Sequence, residues 1–246
     1  MAKISREASK MHDQAVALIE NGRQLLHSEK LFVLEHWNPQ ASHNVGKTGT
    51  FFTPIDLACD FAAEVVGVGI LVDACAGIGT LSFAEKIMSQ ATNNCKRHIC
   101  LEINPEFVKV GKRILPEVEW IEADVFDAKT WERIGKIDEV ISNPPFVKVD
   151  PINFTPRLKS PKGVYAMAEI AMRYAKRATF IVDQGSCPFV VSGRDFRKEV
   201  ENSQYKKFRE ATGVWFEETS IDTSYALDDW EGVKTQVEIV TVRREQ

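Results

Sequence analysis

The chain lacks the features that mark membrane-spanning and secreted proteins. No window approaches about eighteen uncharged apolar residues in a row, so the sequence predicts no membrane span. The first residues, Met-Ala-Lys-Ile-Ser-Arg-Glu, have no apolar core, and we therefore expect no signal peptide. The sequence also has no internal repeat and no low-complexity segment.

The usual patterns of disulfide and metal-binding proteins are missing as well. The five cysteines contain no Cys-x-x-Cys pair, which is typical of reduced thiols in a cytosolic protein and not of a disulfide framework or a zinc site. Four of the five histidines lie within the first 43 residues, with no spacing that suits a metal, and we interpret them as solvated. The sequence therefore predicts a cytoplasmic protein without a metal site.

Length and composition fit one large soluble domain with a small appendage. The chain has 246 residues, of which 44% are hydrophobic and 27% are charged. Apolar residues recur at near-helical spacing close to the start of the chain. We therefore expect a helical N-terminal arm over residues 1–47 and a main domain over residues 48–246.

Charge is unevenly distributed along the chain. The net charge of −4 argues against a uniformly basic coat for nucleic acid. The segment Pro151–Ala178 nevertheless carries six lysines and arginines against one acid, whereas Glu210–Val233 carries seven acids and no base. A basic stretch beside a functional site would suit a polyanionic substrate, and the alternative is a solvated helix and loop.

Strands and helices alternate along the main domain. Strands are predicted at Gly69–Asp73, Ile99–Ile103, Val118–Ala123, Ile137–Ile141, Ala178–Asp183, Trp215–Ile221 and Gln236–Arg243. Helices are predicted at Ile55–Val66, Leu81–Met88, Glu106–Leu115, Thr130–Ile134, Val164–Arg177 and Gly193–Asn202, with Thr53 as the cap of the first. The alternation predicts an α/β fold with a doubly wound, mostly parallel, seven-stranded sheet whose last two strands pair antiparallel.

The motif Asn143-Pro144-Pro145-Phe146 follows the predicted strand Ile137–Ile141, with Ser142 between them. Two prolines fix their own φ and donate no N–H, so the motif forms a stiff elbow with free carbonyls. Asn143 Oδ1 and the Pro144 carbonyl can accept both hydrogens of an exocyclic amine on a planar heterocycle, which makes the nitrogen more nucleophilic. Phe146 can stack on the ring. The alternative is an ordinary strand-ending turn.

Three further strand ends suit a ligand. The first strand runs into the loop Asp73-Ala-Cys-Ala-Gly77-Ile-Gly79, whose small residues let a ligand approach the backbone closely. Glu102 and Asp124 end the next two strands, where acids can take both hydroxyls of a ribose and the amine of an adenine. Ser82 replaces the third glycine of a dinucleotide fingerprint, and no Gly-Lys-Ser/Thr phosphate loop follows. The pattern favours adenosine that carries an amino acid and no phosphate.

Together these residues resemble class I S-adenosylmethionine-dependent methyltransferases of the amino-methylating type. Because Gly49-Thr-Phe-Phe-Thr-Pro54 precedes the glycine loop, the resemblance is to γ-class bacterial and phage DNA adenine-N6 methyltransferases, and it covers roughly residues 48–146. It implies S-adenosylmethionine as the cofactor. The catalytic residues that it implies are Asn143, Pro144, Pro145 and Phe146, and the cofactor-binding residues are Phe52, Thr53, Asp73, Ala74, Gly77, Gly79, Glu102, Ile103, Asp124, Val125 and Asn143.

The resemblance implies methyl transfer to the exocyclic N6 amine of adenine in DNA. We expect Lys148, Arg157, Lys159 and Lys162 to hold the substrate backbone while the base is flipped out of the duplex. The chain has no obvious target-recognition domain, so we expect short or relaxed sequence specificity, unless a partner subunit or a homodimer supplies more. The alternatives are an RNA base methyltransferase acting on adenine N6 or guanine N2, a protein glutamine methyltransferase, and a non-catalytic methyltransferase-like subunit.

Overall fold

The computed structural model describes residues 5–38, 51–89, 94–230 and 234–245. Residues 39–47 of the predicted arm and the first two residues of the Gly49–Pro54 motif lie outside these ranges. Among the described residues, no helix combines the length and the apolar character that crossing a membrane would require.

Seven strands form the main sheet. They are β1 (Gly69–Ala74), β2 (Cys95–Glu102), β3 (Glu119–Glu122), β4 (Ile137–Ser142), β5 (Ala175–Asp183), β8 (Val214–Glu218) and β9 (Val237–Arg244), and a separate pair consists of β6 (Phe189–Val190) and β7 (Lys198–Glu199). The strand order is β3-β2-β1-β4-β5-β9-β8, in which β9 runs antiparallel to both of its neighbours and the remaining pairs are parallel. The predicted sheet, including the antiparallel pairing of the last two strands, is confirmed.

Eight α-helices surround the sheet in the described part of the chain. They are α1 (Arg6–Glu20), α2 (His27–His36), α3 (Ile55–Ala62), α4 (Thr80–Met88), α5 (Pro105–Ile114), α6 (Ala128–Ile134), α7 (Gly163–Tyr174) and α8 (Ser203–Thr212). Side-chain oxygens of Asn104, Asp127 and Asn202 accept a backbone N–H of the first turn of α5, α6 and α8. These caps satisfy donors that have no partner inside a helix, so they determine where the helices begin.

The register of the parallel strands aligns their carboxyl ends. Ala74, at the end of β1, pairs with Leu101 of β2 and with Ser142 of β4, and Ser142 pairs in turn with Phe180 of β5. Asp183, at the end of β5, pairs with Val237 at the start of β9. The loops after β1, β2, β4 and β5 and the segment before β9 therefore meet at one edge of the sheet, which we call the carboxyl edge.

The two N-terminal helices pack against α5. Their apolar residues share a buried cluster with α5, in which the Trp37 ring contacts the Phe107 ring edge-on at 5.6 Å. The Arg113 guanidinium of α5 donates to the Ile19 carbonyl at 3.2 Å. His12 was interpreted as solvated, and this interpretation is wrong, because the ring is buried and its Nδ1 accepts the Asn38 N–H at 3.1 Å.

The helix predicted at Gly193–Asn202 is wrong. This segment forms a loop and the short strand β7, and the helix α8 begins one residue after it ends. The segment has no apolar stripe to bury, since its only large apolar side chains, Phe196 and Val200, are both exposed. Residues 203–212 instead place Tyr205 and Phe208 on one face of a helix and bury both.

Two helices end earlier than predicted. Beyond Ala62, the backbone of α3 tightens into bonds between residues three apart, and the N–H groups of Val66 and Gly67 donate to the Glu139 carboxylate at 3.0 Å. The helix α7 ends at Tyr174 because Ala175 already pairs with Ile137 in the sheet. In both places, backbone that could have continued the helix pairs with a group outside it.

Gly163, the first residue of α7, tests how tightly this helix packs on the Pro144-Pro145 elbow. A Cβ on Gly163 would lie 2.3 Å from the Pro145 carbonyl oxygen, which is backbone and has no room to move. We expect Gly163→Ala to lower the free energy of unfolding by about 1–3 kcal/mol, as overpacking does. Gly185→Ala is the control, since its Cβ would meet a side-chain atom, Asp183 Oδ2 at 3.1 Å, and no backbone atom. Equal chemical denaturation midpoints for the two variants would contradict the close packing.

Candidate functional site

The Asn143 elbow lies at the carboxyl edge and is tied to two other segments. Ser142 Oγ donates to the Ala74 carbonyl, which joins the end of β4 to the end of β1. Asn143 Nδ2 donates to Thr53 Oγ1 at 3.1 Å, across 90 positions of sequence. Thr53 was predicted to cap α3, but Pro54 occupies the cap position and no side chain caps the helix there, because the hydroxyl faces Asn143. The structure thus brings together the two motifs that carry the resemblance.

The elbow presents two unoccupied acceptors. Since Asn143 Nδ2 is committed to Thr53, the opposite oxygen, Oδ1, is left without a donor among the described residues. The carbonyl of Pro144 likewise accepts from no N–H in the described ranges. Phe146 is half-buried and packs against the apolar cluster of α3 that contains Leu57 and Phe61. An acceptor pair of this kind suits a group with two N–H donors.

The glycine loop after β1 bends through left-handed backbone. Cys75, Gly77 and Gly79 have φ of +62°, +57° and +95°, and Gly79 is the N-cap of α4. A Cβ on Gly77 would lie 2.9 Å from the Phe52 ring, so the ring rests on the bare backbone of the loop. Phe52 in turn contacts Phe107 edge-on at 5.1 Å. Glycine is required at Gly77 both for its φ and for this close approach.

Glu102 connects the glycine loop to the end of β2. Its Oε2 accepts the Gly77 N–H at 2.9 Å, and its Oε1 accepts the Asn104 N–H at 2.8 Å. Burial raises the pKa of Glu102, and the backbone bonds from Asn104 and Gly77 oppose that rise. Ile103, next to it, leaves 62% of its surface exposed. The carboxylate and the apolar side chain together line one stretch of the edge.

Asp124 lies beyond Glu102, after β3. Its Oδ1 accepts the Phe126 N–H at 2.8 Å, and its backbone carbonyl accepts from Thr130 Oγ1 at 2.8 Å. The other carboxylate oxygen, Oδ2, has no partner in the described part of the chain. Val125 is buried in the core. The structure therefore fixes the Asp124 backbone and leaves one acceptor of the half-buried side chain open.

Asp73 does not face the edge as Glu102 and Asp124 do. Its carboxylate is fully buried, and Oδ2 accepts from Ser82 Oγ of α4 at 2.7 Å. The same hydroxyl lies 2.8 Å from His98 Nε2, and His98 Nδ1 lies 3.4 Å from Glu85 Oε2. Asp73 Oδ1 is buried without a hydrogen-bond partner. This polar chain supports the glycine loop from beneath.

Sequence reasoning missed the roles of Ser82 and His98. Ser82 was noted only because it departs from a dinucleotide fingerprint, and the structure shows that it donates to Asp73 there. His98 lies in the middle of β2 but directly follows Lys96 and Arg97, so the sequence there gives no signal of a buried ring. The buried position of its ring depends on packing between β2 and α4, which no local pattern indicates.

The four predicted substrate contacts divide into two kinds. Arg157 lies 3.9 Å from the Glu169 carboxylate and donates to the carbonyls of Ala211 and Thr212. Lys162 donates to Asp183 and to Ser186 at 3.2 and 2.8 Å. Lys148 and Lys159 are exposed and have no partner in the ranges the structure describes. The structure thus engages two of the four cations internally and leaves two open to solvent.

Comparison with known proteins shows the fold. No family model and no curated protein sequence matches the chain. Solved structures do match: a type I restriction-modification methyltransferase subunit from Streptococcus thermophilus has a TM-score of 0.58 at 16% identity, covering 91% of this chain and 51% of its own. A candidate class I S-adenosylmethionine-dependent methyltransferase from Listeria monocytogenes has a TM-score of 0.57 at 9% identity, covering 98% and 89%. The chain has the class I methyltransferase fold.

A third structure extends the similarity to proteins with a different described substrate. A candidate RNA methyltransferase from Pyrococcus horikoshii has a TM-score of 0.52 at 17% identity, and the match covers 90% of this chain and 100% of its own. The chain spans about half the length of the Streptococcus thermophilus subunit. At these identities the three matches describe the shared fold of the sheet and its helices.

Asp73 predicts a pH dependence of stability. Burial raises the pKa of its carboxyl to about 7, against the bonds from Ser82 and with a further rise from Glu102. The folded state therefore binds more protons than the unfolded state between roughly pH 4 and pH 7, and the free energy of unfolding falls as pH rises through this window. As pH rises through this window, the free energy of unfolding of Asp73→Asn should increase relative to that of wild type by on the order of 1–4 kcal/mol.

Denaturant unfolding at a series of pH values measures this difference. Asp127→Asn is the control, because a hydrogen bond from Asn153 lowers the pKa of the exposed Asp127 carboxyl. The stabilisation that the ionised Asp127 carboxyl provides is lost only as pH falls below the ordinary pKa of an aspartate. The free energy of unfolding of Asp127→Asn should therefore not rise relative to wild type between pH 4 and pH 7. A pH-independent difference for Asp73→Asn would contradict the raised pKa.

Proposed function

We propose that the chain binds S-adenosylmethionine at the carboxyl edge and methylates the exocyclic N6 amine of adenine in DNA. The observation that supports this most is the Asn143 amide, which Thr53 holds through Nδ2, so that Oδ1, like the Pro144 carbonyl, is without a donor among the described residues. The fold, shared with methyltransferases of known structure, supports the choice of cofactor. The order of the Phe-Thr-Pro segment and the glycine loop supports the adenine-N6 type.

The residues at the edge fit this cofactor. Glu102 and Asp124 are acceptors for ribose hydroxyls and an adenine amine, and the exposed Ile103 offers an apolar surface for a planar base. The glycine loop presents backbone free of side chains, beneath the Phe52 ring. When bound, S-adenosylmethionine supplies an electrophilic methyl group.

The remaining chemistry falls to the elbow. By accepting both amine hydrogens, Asn143 Oδ1 and the Pro144 carbonyl would draw the nitrogen lone pair out of conjugation with the ring and hold it in place. Positioning of this kind accounts for a large part of the barrier reduction in a two-reactant step. Phe146 would contact the ring face, and an adenine in a duplex would have to leave its stack to reach the elbow. Lys148 and Lys159 are the predicted cations left to hold phosphates.

A substitution at Glu102 tests whether the chain binds S-adenosylmethionine at the carboxyl edge. Replacing Glu102 by Ala should weaken S-adenosylmethionine binding by about 1–3 kcal/mol, because charge-assisted hydrogen bonds are lost and the Gly77 N–H loses its acceptor. Calorimetry measures the affinity of the free protein for the cofactor. Glu106→Ala is the matched control, since Glu106 is an exposed acid in the first turn of α5 at the same edge. A wild type without affinity for the cofactor, or equal losses of affinity in the two variants, would contradict the assignment of Glu102 to a cofactor site.

A substitution at Asn143 tests whether the elbow holds the amine that receives the methyl group. We expect Asn143→Ala to abolish methyl transfer while cofactor affinity and thermal unfolding stay near wild type, because no neighbouring group replaces the acceptor. Phe146→Ala should reduce transfer by roughly 1–3 kcal/mol, the worth of one base-stacking contact. Asn94→Ala, at an exposed position before β2, is the control. Near-wild-type turnover in Asn143→Ala would show that the amine is not held at the elbow.

One assay measures both the activity and the substrate class. The protein is incubated with labelled S-adenosylmethionine and, separately, with DNA, RNA and protein pools. Transfer to DNA, followed by digestion to nucleosides, should place the label on N6-methyladenine. Label in the RNA pool or on protein glutamine would show that the substrate is RNA or protein and not DNA. The role proposed for the elbow would then still stand. No transfer to any pool, with cofactor bound, would favour a non-catalytic subunit.

A further inference from the structure

A β-hairpin, whose second half falls in the segment Gly193–Asn202 predicted as a helix, lies at the same edge as the elbow. The strands β6 and β7 pair through Phe189 with Glu199 and Val190 with Lys198, and residues 191–197 connect them. The hairpin follows the carboxyl end of β5, the strand next to β4. Lys162 donates to Asp183 and Ser186, so the segment that leads into the hairpin contacts the loop that follows the elbow.

The base of the hairpin is held rigidly. The Glu238 carboxylate, 1% exposed, accepts the N–H groups of Val191 and Ser192 at 3.1 Å and the Gln184 amide at 2.8 Å. The Arg197 guanidinium lies 2.8 Å from Glu218 on β8 and stacks over the Phe189 ring at 5.2 Å. A buried acid with this many donors fixes the direction in which the connecting residues leave the sheet.

The tip of the hairpin, in contrast, faces solvent. Phe196 is 86% exposed, the highest value among the large apolar side chains that the structure describes as exposed. Arg194 and Lys198, on either side of it, are exposed, and their side chains have no partner in the described ranges. A single exposed apolar residue is ordinary on a protein surface. An exposed aromatic between two cations with unpaired side chains, on an anchored base at the carboxyl edge, is an arrangement that can bind bases and phosphates together.

The acids near the hairpin are mostly engaged. Glu218 pairs with Arg197, and Asp222 accepts the N–H groups of Gly193 and Ser224. Asp195, within the tip, is exposed. On α8, the side chains of Lys206 and Lys207 are also exposed and unpaired in the part of the chain described. Arg197 is engaged by Glu218 and Glu199, so among residues 194–198 two free cations, Arg194 and Lys198, face one acid, Asp195.

We propose that the hairpin tip is a nucleic-acid contact in which Phe196 stacks on a base of the substrate while Arg194 and Lys198 bind its phosphates. The proposal rests on the proposed function, because it names a second surface for that same substrate. Stacking tolerates any base, so the contact would add affinity and position the strand without reading its sequence.

Fluorescence anisotropy with labelled oligonucleotides tests the contact. The probes are mixed-sequence single-stranded DNA of about 20 nucleotides, its duplex, and RNA of the same sequence. Phe196→Ala should weaken binding of at least one probe about 5- to 150-fold, and Phe196→Trp should restore it, whereas Phe196→Leu should not. Met88→Ala is the matched control, since Met88 is 55% exposed at the far end of α4.

Salt dependence separates stacking from charge. Phe196→Ala should leave the slope of log Kd against log salt unchanged, whereas Arg194→Ala combined with Lys198→Ala should flatten it by about 1–2. An effect of Phe196→Ala confined to oligomeric state, or equal to that of Met88→Ala, would overturn the proposal. A wild type that binds none of the probes would overturn it as well.

The two proposals fail separately. Methyl transfer to DNA by a wild type whose Phe196→Ala variant binds DNA equally well would overturn the hairpin contact alone. Binding that depends on Phe196, in a protein that transfers no methyl group to any pool, would overturn the proposed activity and leave the contact standing.

Discussion

The parallel pairing of β1 with β4 is the constraint on which the site depends. It places Ala74 opposite Ser142, and the Ser142 hydroxyl closes the gap by donating to the Ala74 carbonyl. The glycine loop leaves from one side of this pair and the elbow from the other. A slip of one residue in the register would move the side chains of β4 to the opposite face and separate the two loops. Asn143 can therefore be a functional residue only in this register.

Buried carboxylates anchor the loops that leave the sheet. Glu102 accepts the backbone N–H groups of Gly77 and Asn104, Glu139 accepts those of Val66 and Gly67, and Glu238 accepts those of Val191 and Ser192. Burying a carboxylate is unfavourable unless donors replace its water, and backbone N–H groups in irregular segments need acceptors. Each acid satisfies donors that no strand or helix could, and each lies close to a place where the chain changes direction.

The cations of this protein likewise have two roles that composition does not separate. One group of cations pairs with acids of the same chain, so their charge is neutralised within the structure. These are Arg157, Lys162, Arg177 and Arg197. Lys148, Lys159, Arg194 and Lys198 are unpaired in the described residues. A net charge of −4 thus coexists with open cations on loops that follow β4 and β5. A polyanion responds to this local arrangement and much less to the total charge.

The sequence by itself determined the sheet, most helices and the order of the strand-end motifs. It could do so because alternating apolar runs, prolines and capping residues such as Asn104 act over a few positions. It was wrong at Gly193–Asn202, which has no apolar stripe to bury and pairs with β6 instead, and at Thr53, whose hydroxyl faces the distant Asn143. Only the tertiary structure decided that Ser82 and His98 lie beneath Asp73, that Phe52 covers Gly77, and which lysines remain open. Those features depend on pairings between segments distant in sequence, and local propensity carries no information about them.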